Sequence, residues 1–187
     1  MAKVRNNIFV RGLNGDLGRQ FYVKTSEVTG RTSVSARMDF EKVREPSEAQ
    51  KAHQLAFRDA IFYAQSMKGE EIYRIKADGT GKSPFNLAVA DWFHAPEIIG
   101  VDLSGWNGAA GGLVRVRAND DVKVKHVIVR FNDAGGDLLE EGSATEGGAL
   151  WWEYTTRSSH TGAVTVTATA VDLPGNMTEL SREKTIS

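Results

Sequence analysis

Apolar residues recur at helical spacing along one stretch of the chain, from Ser47 to Met67. From Ala49 to Met67, apolar residues return every three or four residues. This spacing is the period of an amphipathic helix. Other apolar residues widen this stripe beyond one face, namely Leu55, Phe57, Ile61, Phe62 and Ala64. A helix that is apolar on more than one face needs more than one neighbour. We therefore expect this helix to be the centre of an N-terminal module.

Local signals mark the ends of this helix and predict two more. Ser47 and Gln50 have the spacing of a capping box. Gly69 is expected to end the helix in a left-handed conformation. Two shorter helices are predicted at residues 70–77 and 84–93, the second beginning with the serine and proline typical of a helix start.

Short β-branched runs precede the long helix and predict a small β-meander. Strands are expected at residues 4–10, 20–24 and 31–36, separated by segments rich in glycine and polar residues. Three strands need a cover on one face to be stable. The long helix is the expected cover.

Beyond Pro96 the helical spacing gives way to short alternating runs. Seven strands are predicted there, at residues 98–103, 113–118, 122–131, 138–145, 150–156, 163–171 and 177–186. Such spacing is typical of an antiparallel sandwich. The predicted fold class is α+β: a small β-meander packed on two or three helices at residues 1–96, followed by an all-β sandwich at residues 97–187.

The last predicted hairpin has a distinctive sequence. Residues 164–180 read VTVTATAVDLPGNMTEL, in which apolar residues alternate with threonines. This stretch resembles the last hairpin of bacterial immunoglobulin-like domains, which commonly carry V-x-V-x-A-x-D-x-x-G-N-x-S/T. The resemblance implies an immunoglobulin-like sandwich that serves as a spacer, an adhesive module or a particle decoration. Residues 1–96 resemble no characterised family.

Charge is distributed unevenly along the 187 residues, although the formal net charge is only -1. Residues 1–96 carry fifteen Lys and Arg against eleven Asp and Glu, whereas residues 97–187 carry eight against thirteen. One interpretation is ordinary surface variation; the other is that the halves of neighbouring copies attract each other. The basic excess is too small and too mixed with acids to predict nucleic-acid binding.

The sequence has no cysteine, which excludes disulfides and thiolate zinc sites. The N-terminus has no apolar run of signal-peptide length, and no run approaches the length of a membrane span. We expect cytoplasmic synthesis without membrane insertion, with a surface or particle location by non-classical export left open.

Several patterns that suggest chemistry have simpler interpretations. The string ADGTGKS ends like a phosphate-binding loop, but Lys76 stands where that motif needs its first glycine, so Ser83 is expected to cap the next helix. Asp91 and His94 form the best local pair and are interpreted as a charge complement at a helix end. The adjacent acids Asp120-Asp121 and Glu140-Glu141 point to opposite faces and are interpreted as solvated positions. The remaining histidines, which lack metal-ligand spacing, are His53, His126 and His160. We expect no enzyme.

Two loops of the predicted sandwich carry enough oxygen ligands for a calcium hypothesis. The candidate residues are Asn119, Asp120, Asp121, Asp172 and Asn176. The alternative for the segment from 172 to 176 is a tight hairpin turn. No other cofactor is expected.

Tryptophans supply the candidate contact residues. Alternation along the strand at 150–156 places Trp152 in the core and Trp151 on the surface. Trp106, in a glycine-flanked loop, is expected to be a second surface aromatic. Exposed indoles often serve as interface anchors or sugar platforms; the alternative is that they pack under loops.

The hypothesis that fits best is a non-catalytic subunit of a bacterial or viral particle, tube or filament, which associates head-to-tail with itself. Its N-terminal strand is expected to be held at a sheet edge, in its own module or in a neighbouring copy. The interface candidates are Val4, Ile8, Phe9, Val10, Trp106 and Trp151. The alternative function is binding of carbohydrate or protein through the two tryptophans.

Overall fold

The computed structural model describes residues 2–4, 14–17, 20–26, 30–36 and 45–186. The chain divides into two compact units, residues 1–48 and 49–187. The three helices therefore group with the sandwich, whereas the sequence prediction places the boundary after Pro96.

The first unit contains a four-stranded antiparallel sheet in the order β1-β4-β3-β2. Its strands are β1 (Ala2–Val4), β2 (Gly15–Leu17), β3 (Phe21–Thr25) and β4 (Thr32–Ala36). β3 and β4 confirm two strands of the predicted meander. β2 lies in a segment predicted as a turn, because pairing with β3 outweighs the low strand propensity of glycine and aspartate.

The three predicted helices are present as α1 (Glu48–Met67), α2 (Glu71–Ala77) and α3 (Pro84–Phe93). The Ser83 hydroxyl accepts a hydrogen bond from the Asn86 amide (3.1 Å), which confirms the predicted cap of α3. The predicted left-handed cap at Gly69 is wrong. The Lys68 and Glu70 amides still bond back to α1 carbonyls, so the chain leaves this helix without a left-handed residue.

Aromatic side chains hold the helices together. Tyr63 of α1 lies 5.2 Å from Trp92 of α3 and 6.5 Å from Tyr73 of α2, measured between ring centroids. The buried core of the helices also includes Val122, and Leu173 packs against it. Both of these belong to turns of the sandwich, so the helices rest on one end of it.

The sandwich consists of two four-stranded antiparallel sheets around a shared core. One has the order β5-β6-β10-β9, with β5 at Glu97–Asp102, β6 at Leu113–Asn119, β9 at Thr145–Gly148 and β10 at Trp151–Thr155. The other has the order β12-β11-β7-β8, with β7 at Val124–Asp133, β8 at Leu138–Ser143, β11 at Gly162–Asp172 and β12 at Met177–Ile186. Alternate valines and alanines of both sheets face the core. The α+β fold class is confirmed.

The strand register defines two ends of the sandwich. Asp172 pairs with Val124, and Val164 pairs with Asp133, so these two pairs mark opposite ends of the same sheet. A ten-residue strand such as β7 spans roughly 30 Å. We call the end that meets the helices the helical end, and the opposite end, which carries the turn at 134–137, the far end. In the described ranges, no helix is long and apolar enough to cross a membrane.

Candidate functional site

Of the predicted interface residues of the N-terminal strand, Val4 lies within the described residues. Val4 lies in β1, where it pairs with Thr32 of the same chain. Ile8, Phe9 and Val10 lie outside the described residues, so the predicted extension of this strand stays a prediction.

Trp106 is fully buried, so the prediction of a surface aromatic is wrong. Its ring packs edge-on against Phe131 with 5.1 Å between centroids, and the Lys184 ammonium lies 5.9 Å from the indole. A Cβ on Gly112 would lie 2.4 Å from an indole carbon, so only glycine lets the loop close over this ring. The glycines around Trp106 are therefore the sequence signal of a buried indole.

The two neighbouring tryptophans of β10 face opposite sides, as predicted. Trp152 is buried in the sandwich core. Trp151 is half-buried on the outer face, where the guanidinium carbons of Arg115 and Arg117 lie 5.4 and 6.0 Å from its ring centroid. Asp102 holds Arg115 in place with a 2.7 Å hydrogen bond. The exposed part of the indole is thus fixed in orientation.

Trp151 borders an open groove of about 530 Å³ at the helical end of the sandwich. This volume is within the range of small-ligand sites. The groove is also lined by two cations, Lys76 and Lys123, and by two acids, Asp120 and Glu146. Its walls therefore come from α2, from the turn between β6 and β7, and from the hairpin of β9 and β10.

The hairpin beside this groove has unfavourable backbone geometry. Ala149 and Leu150 form its two-residue loop with φ of 49° and 71°. Two positive φ values are typical of a type I′ turn, which normally has asparagine and glycine at these positions. Left-handed backbone costs a residue with a Cβ about 1–2 kcal/mol. Leu150, predicted to be a core-facing strand residue, is instead a partly exposed turn residue whose carbonyl accepts the Ala118 amide (3.0 Å).

Replacing Leu150 with glycine is expected to raise the free energy of unfolding by about 1 kcal/mol. Glycine removes the left-handed strain, and its greater freedom in the unfolded chain offsets part of that gain. Urea unfolding measures the change. The control is Ile75→Gly in α2, which removes an exposed apolar side chain from right-handed helical backbone and should destabilise the protein. A loss of stability in both variants would contradict strain at Leu150.

A buried polar cluster links the three helices. The Tyr73 hydroxyl donates a hydrogen bond to Asp91 Oδ2, and the hydroxyls of Tyr63 and Tyr73 are 2.6 Å apart. Asp91 is fully buried, and its Oδ1 receives no hydrogen bond from any described residue. The same is true of Asp120 Oδ1, in the turn between β6 and β7. Asp91 is therefore buried with one of its two carboxyl oxygens unpaired.

Burial raises the pKa of Asp91 to about 6, against the opposing hydrogen bond from Tyr73. The negative charges of Asp120, Asp172 and Asp121 raise it further. Burial also raises the pKa of Tyr73 well above its usual value, and the hydrogen bond to Asp91 adds to this. Tyr73 therefore remains a hydrogen-bond donor at all ordinary pH values. The structure does not bring the side chains of Asp91 and His94 together: Asp91 is buried against Tyr73, and His94 Nδ1 contacts Asp121 Oδ2 (2.7 Å).

The polar residues of the segment 172–176 form hydrogen bonds that close its turn and contact α3. Asp172 Oδ1 accepts the amides of Gly175 and Asn176 at 2.7 and 2.6 Å. The Asn176 side-chain amide lies 3.2–3.3 Å from the carbonyls of Asp91, Trp92 and His94, at the C-terminal end of α3. The aspartate thus closes the hairpin, and the asparagine caps the helix that rests on it.

These contacts favour the hairpin alternative over the calcium hypothesis. Asp172 uses its carboxylate within its own turn, and Asp120 Oδ2 accepts the amides of Val122 and Lys123. Throughout the described part of the chain, no group of three or more His, Asp or Glu side chains is placed to hold a metal ion.

Glu140 is buried, so its interpretation as a solvated position is wrong. Its carboxylate accepts the Tyr154 hydroxyl (2.6 Å), the Arg157 amide (2.7 Å) and the Ser158 amide (3.0 Å), and lies 3.0 Å from His160 Nε2. Burial would raise the pKa of Glu140, but these hydrogen bonds outweigh it and lower the pKa below its usual value. The cluster fastens the loop between β10 and β11 to β8. Its carboxylate, imidazole and phenol have their polar groups bonded to one another and face no open surface.

Large apolar side chains are exposed at both ends of the unit 49–187. Leu55 and Phe62 lie two turns apart on α1, on the side away from its buried alanines, and are 51% and 66% exposed. We call this pair the helical patch. Leu138 and Leu139, at the start of β8, are 57% and 40% exposed. We call this pair the far-end patch.

None of the protein-family models or curated proteins that were compared matches the chain. Solved structures that resemble it cover about half of it. CopC from Methylosinus trichosporium OB3b is 22% identical with a TM-score of 0.38, covering 49% of this chain and 93% of that protein.

Two further structures are much longer than the part that resembles this chain. An engineered protein is 30% identical with a TM-score of 0.36, covering 49% of this chain and 19% of that one. A tetra-tandem repeat from the extending region of a large adhesion protein is 22% identical with a TM-score of 0.36, covering 50% of this chain and 24% of that one. The fold assignment therefore rests on this chain's own strands: it is a β-sandwich with helices packed on one end.

Proposed function

We propose that this chain is a non-catalytic structural subunit whose immunoglobulin-like sandwich associates head-to-tail with further copies into a filament, tube or particle. The observation that carries the proposal is the presence of two different apolar patches at opposite ends of one compact unit. When one patch binds the other on the next copy, one patch of each kind remains free at the ends of the pair. Such a heterologous contact repeats into a ring or an open filament.

The size of the patches favours a weak, concentration-dependent contact. Complete burial of an exposed leucine or phenylalanine contributes about 1.5–3 kcal/mol. The four side chains are already about half covered, so their remaining surface supplies roughly 4 kcal/mol in total. Association itself costs at least about 4 kcal/mol. The patches alone are therefore marginal, and further contacts must add to them.

Charge supplies one further contribution. Within the unit 49–187, residues 49–96, which form the helices, carry six Lys and Arg against five Asp and Glu, and residues 97–187, which form the sandwich, carry eight against thirteen, so the net charges are +1 and -5. Opposite charges on the two partners of a contact increase the association rate and fix its orientation. Because exposed charges are screened within about 10 Å at 0.1 M salt, the proposed assembly should weaken as salt increases.

The proposed contact does not require exchange of the N-terminal strand. Residues 2–4 already pair with β4 of their own chain. Strand addition to a neighbour would first have to break that pairing. We therefore place the contact on the two patches.

The non-catalytic class is supported by the polar clusters. The groups that resemble a catalytic set, Glu140, Tyr154 and His160, are buried and bonded to one another. A reaction needs such groups beside a space where the substrate can sit.

Two complementary double variants test the proposal. Leu55→Asp with Phe62→Asp disrupts the helical patch, and Leu138→Asp with Leu139→Asp disrupts the far-end patch. Each variant should be monomeric in sedimentation velocity where the unmodified chain is not, because charged side chains resist burial at a contact. An equimolar mixture should form dimers and nothing larger, because one intact patch of each kind remains.

The matched control is Ile99→Asp on the edge strand β5, which removes a 47% exposed apolar side chain from neither patch and should leave assembly unchanged. If the two double variants assemble as the unmodified chain does, the patches are not the contact. If each is monomeric but their mixture forms no dimer, the contact is not head-to-tail.

A further inference from the structure

We propose that the groove beside Trp151 is a binding site for an uncharged carbohydrate. The groove shares no lining residue with the two patches of the proposed assembly. The two activities are therefore separable by substitution.

The charges of the groove favour a neutral, hydroxyl-rich ligand. Lys76 and Lys123 balance Asp120 and Glu146, so the four charged residues of the lining have no net charge. The ion pair with Asp102 also neutralises Arg115 beside Trp151. No ion pair is formed by Lys76, Lys123 or Glu146 with any residue of the described ranges. Their donors and acceptors remain available for hydrogen bonds. Sugar hydroxyls both donate and accept, so they can use lysines and a carboxylate in the same site.

An apolar platform stands beside these polar groups. The guanidinium groups of Arg115 and Arg117 lie over the Trp151 ring and hold the indole in one orientation, so a sugar would pack on the part of the ring that they leave exposed. Leu150, which is 44% exposed, extends the apolar surface along the same wall. Specific small-molecule sites combine an apolar or aromatic wall with a few fixed polar groups. A sugar ring has this same division between its carbon-bound hydrogens and its hydroxyls.

The strained hairpin gives a second, independent reason to place a ligand here. Ala149 and Leu150 both have left-handed backbone, although neither is glycine or asparagine. Residues kept in such conformations cluster at ligand-binding sites, where their placement matters more than local stability. In this chain the left-handed loop sets the position of Leu150 and the start of the strand that carries Trp151. The strain thus lies in the wall of the groove itself.

A glycan array of neutral and acidic oligosaccharides, followed by calorimetry on the hits, tests this inference with the full-length chain. We expect neutral oligosaccharides among the ligands. Trp151→Ala should weaken their binding by about tenfold or more, since a central aromatic contact is typically worth over 1.4 kcal/mol. Trp151→Phe should retain part of the affinity.

Control measurements distinguish loss of the groove from loss of folding or of assembly. Thermal unfolding of each variant shows whether it is folded, and sedimentation shows whether Trp151→Ala still assembles as the unmodified chain does. Ile99→Ala, on the neighbouring edge strand, should leave glycan binding unchanged. Binding only of acidic glycans, with a loss in Arg117→Ala and none in Trp151→Ala, would overturn the inference. So would the absence of any glycan ligand.

Discussion

Glu140→Ala is expected to lower the free energy of unfolding by about 3–5 kcal/mol, the loss typical of removing one member of a buried charged pair. Without this carboxylate, the hydroxyl of Tyr154 and the amides of Arg157 and Ser158 lose their acceptor. His160 loses it as well. Each buried donor left without a partner costs about 1–3 kcal/mol. Alanine has no side-chain acceptor that could replace these hydrogen bonds.

The neighbouring residue offers a matched control. Glu141 forms an ion pair with Arg130 (2.6 Å), and both side chains are about half exposed. Exposed pairs of this kind contribute at most about 1 kcal/mol, so Glu141→Ala should change stability little. Urea unfolding at neutral pH measures both variants. Equal, small losses would contradict the importance of the Glu140 cluster.

We compare the free energy of unfolding of Asp91→Asn with that of the unmodified chain. We expect this difference to favour the variant by about 3 kcal/mol more at pH 8 than at pH 3. The folded-state pKa of Asp91 is raised from 3.8 to about 6. A raised carboxyl pKa means that the folded state favours the neutral acid. The stability that Asp91 contributes is therefore complete below pH 3.8, declines as the pH rises through 6, and is absent above it. Asparagine is neutral at every pH and keeps an oxygen that accepts the Tyr73 hydroxyl.

The difference between variant and unmodified chain isolates Asp91 from the other carboxylates. Glu140, for example, loses stabilising power as the pH falls, because its pKa is lowered, and this effect is common to both proteins. Asp59→Asn on the exposed face of α1 is the control for the loss of a surface carboxylate. If the difference in unfolding free energy between Asp91→Asn and the unmodified chain is the same at pH 3 and pH 8, the folded state does not raise the pKa of Asp91.

Features with local causes were predictable from the sequence. The cap of α3 depends on Ser83 and the three residues after it, and the alternation along β11 repeats every second residue. The turn at 172–176 is likewise local, because Asp172 bonds to amides only three and four residues further along the chain. These elements appear in the structure close to their predicted bounds.

Features that depend on distant partners were not predictable. Asp91 is buried because Tyr73, from another helix, covers it, and Glu140 because the loop at 157–160 returns to it. Trp106 and Trp151 look alike in sequence, yet a lysine from β12 and a core phenylalanine enclose the first, whereas two arginines flank the second. The groove depends on a left-handed Ala-Leu loop, which no turn preference indicates.

In the proposed assembly, this chain acts by contact between the two ends of successive copies. Sedimentation velocity of the unmodified protein over a wide range of concentrations, at low and high salt, tests it most directly. We predict species larger than the 20.4 kDa chain that grow with concentration and shrink with added salt. A single 20.4 kDa species at every concentration would contradict the claim.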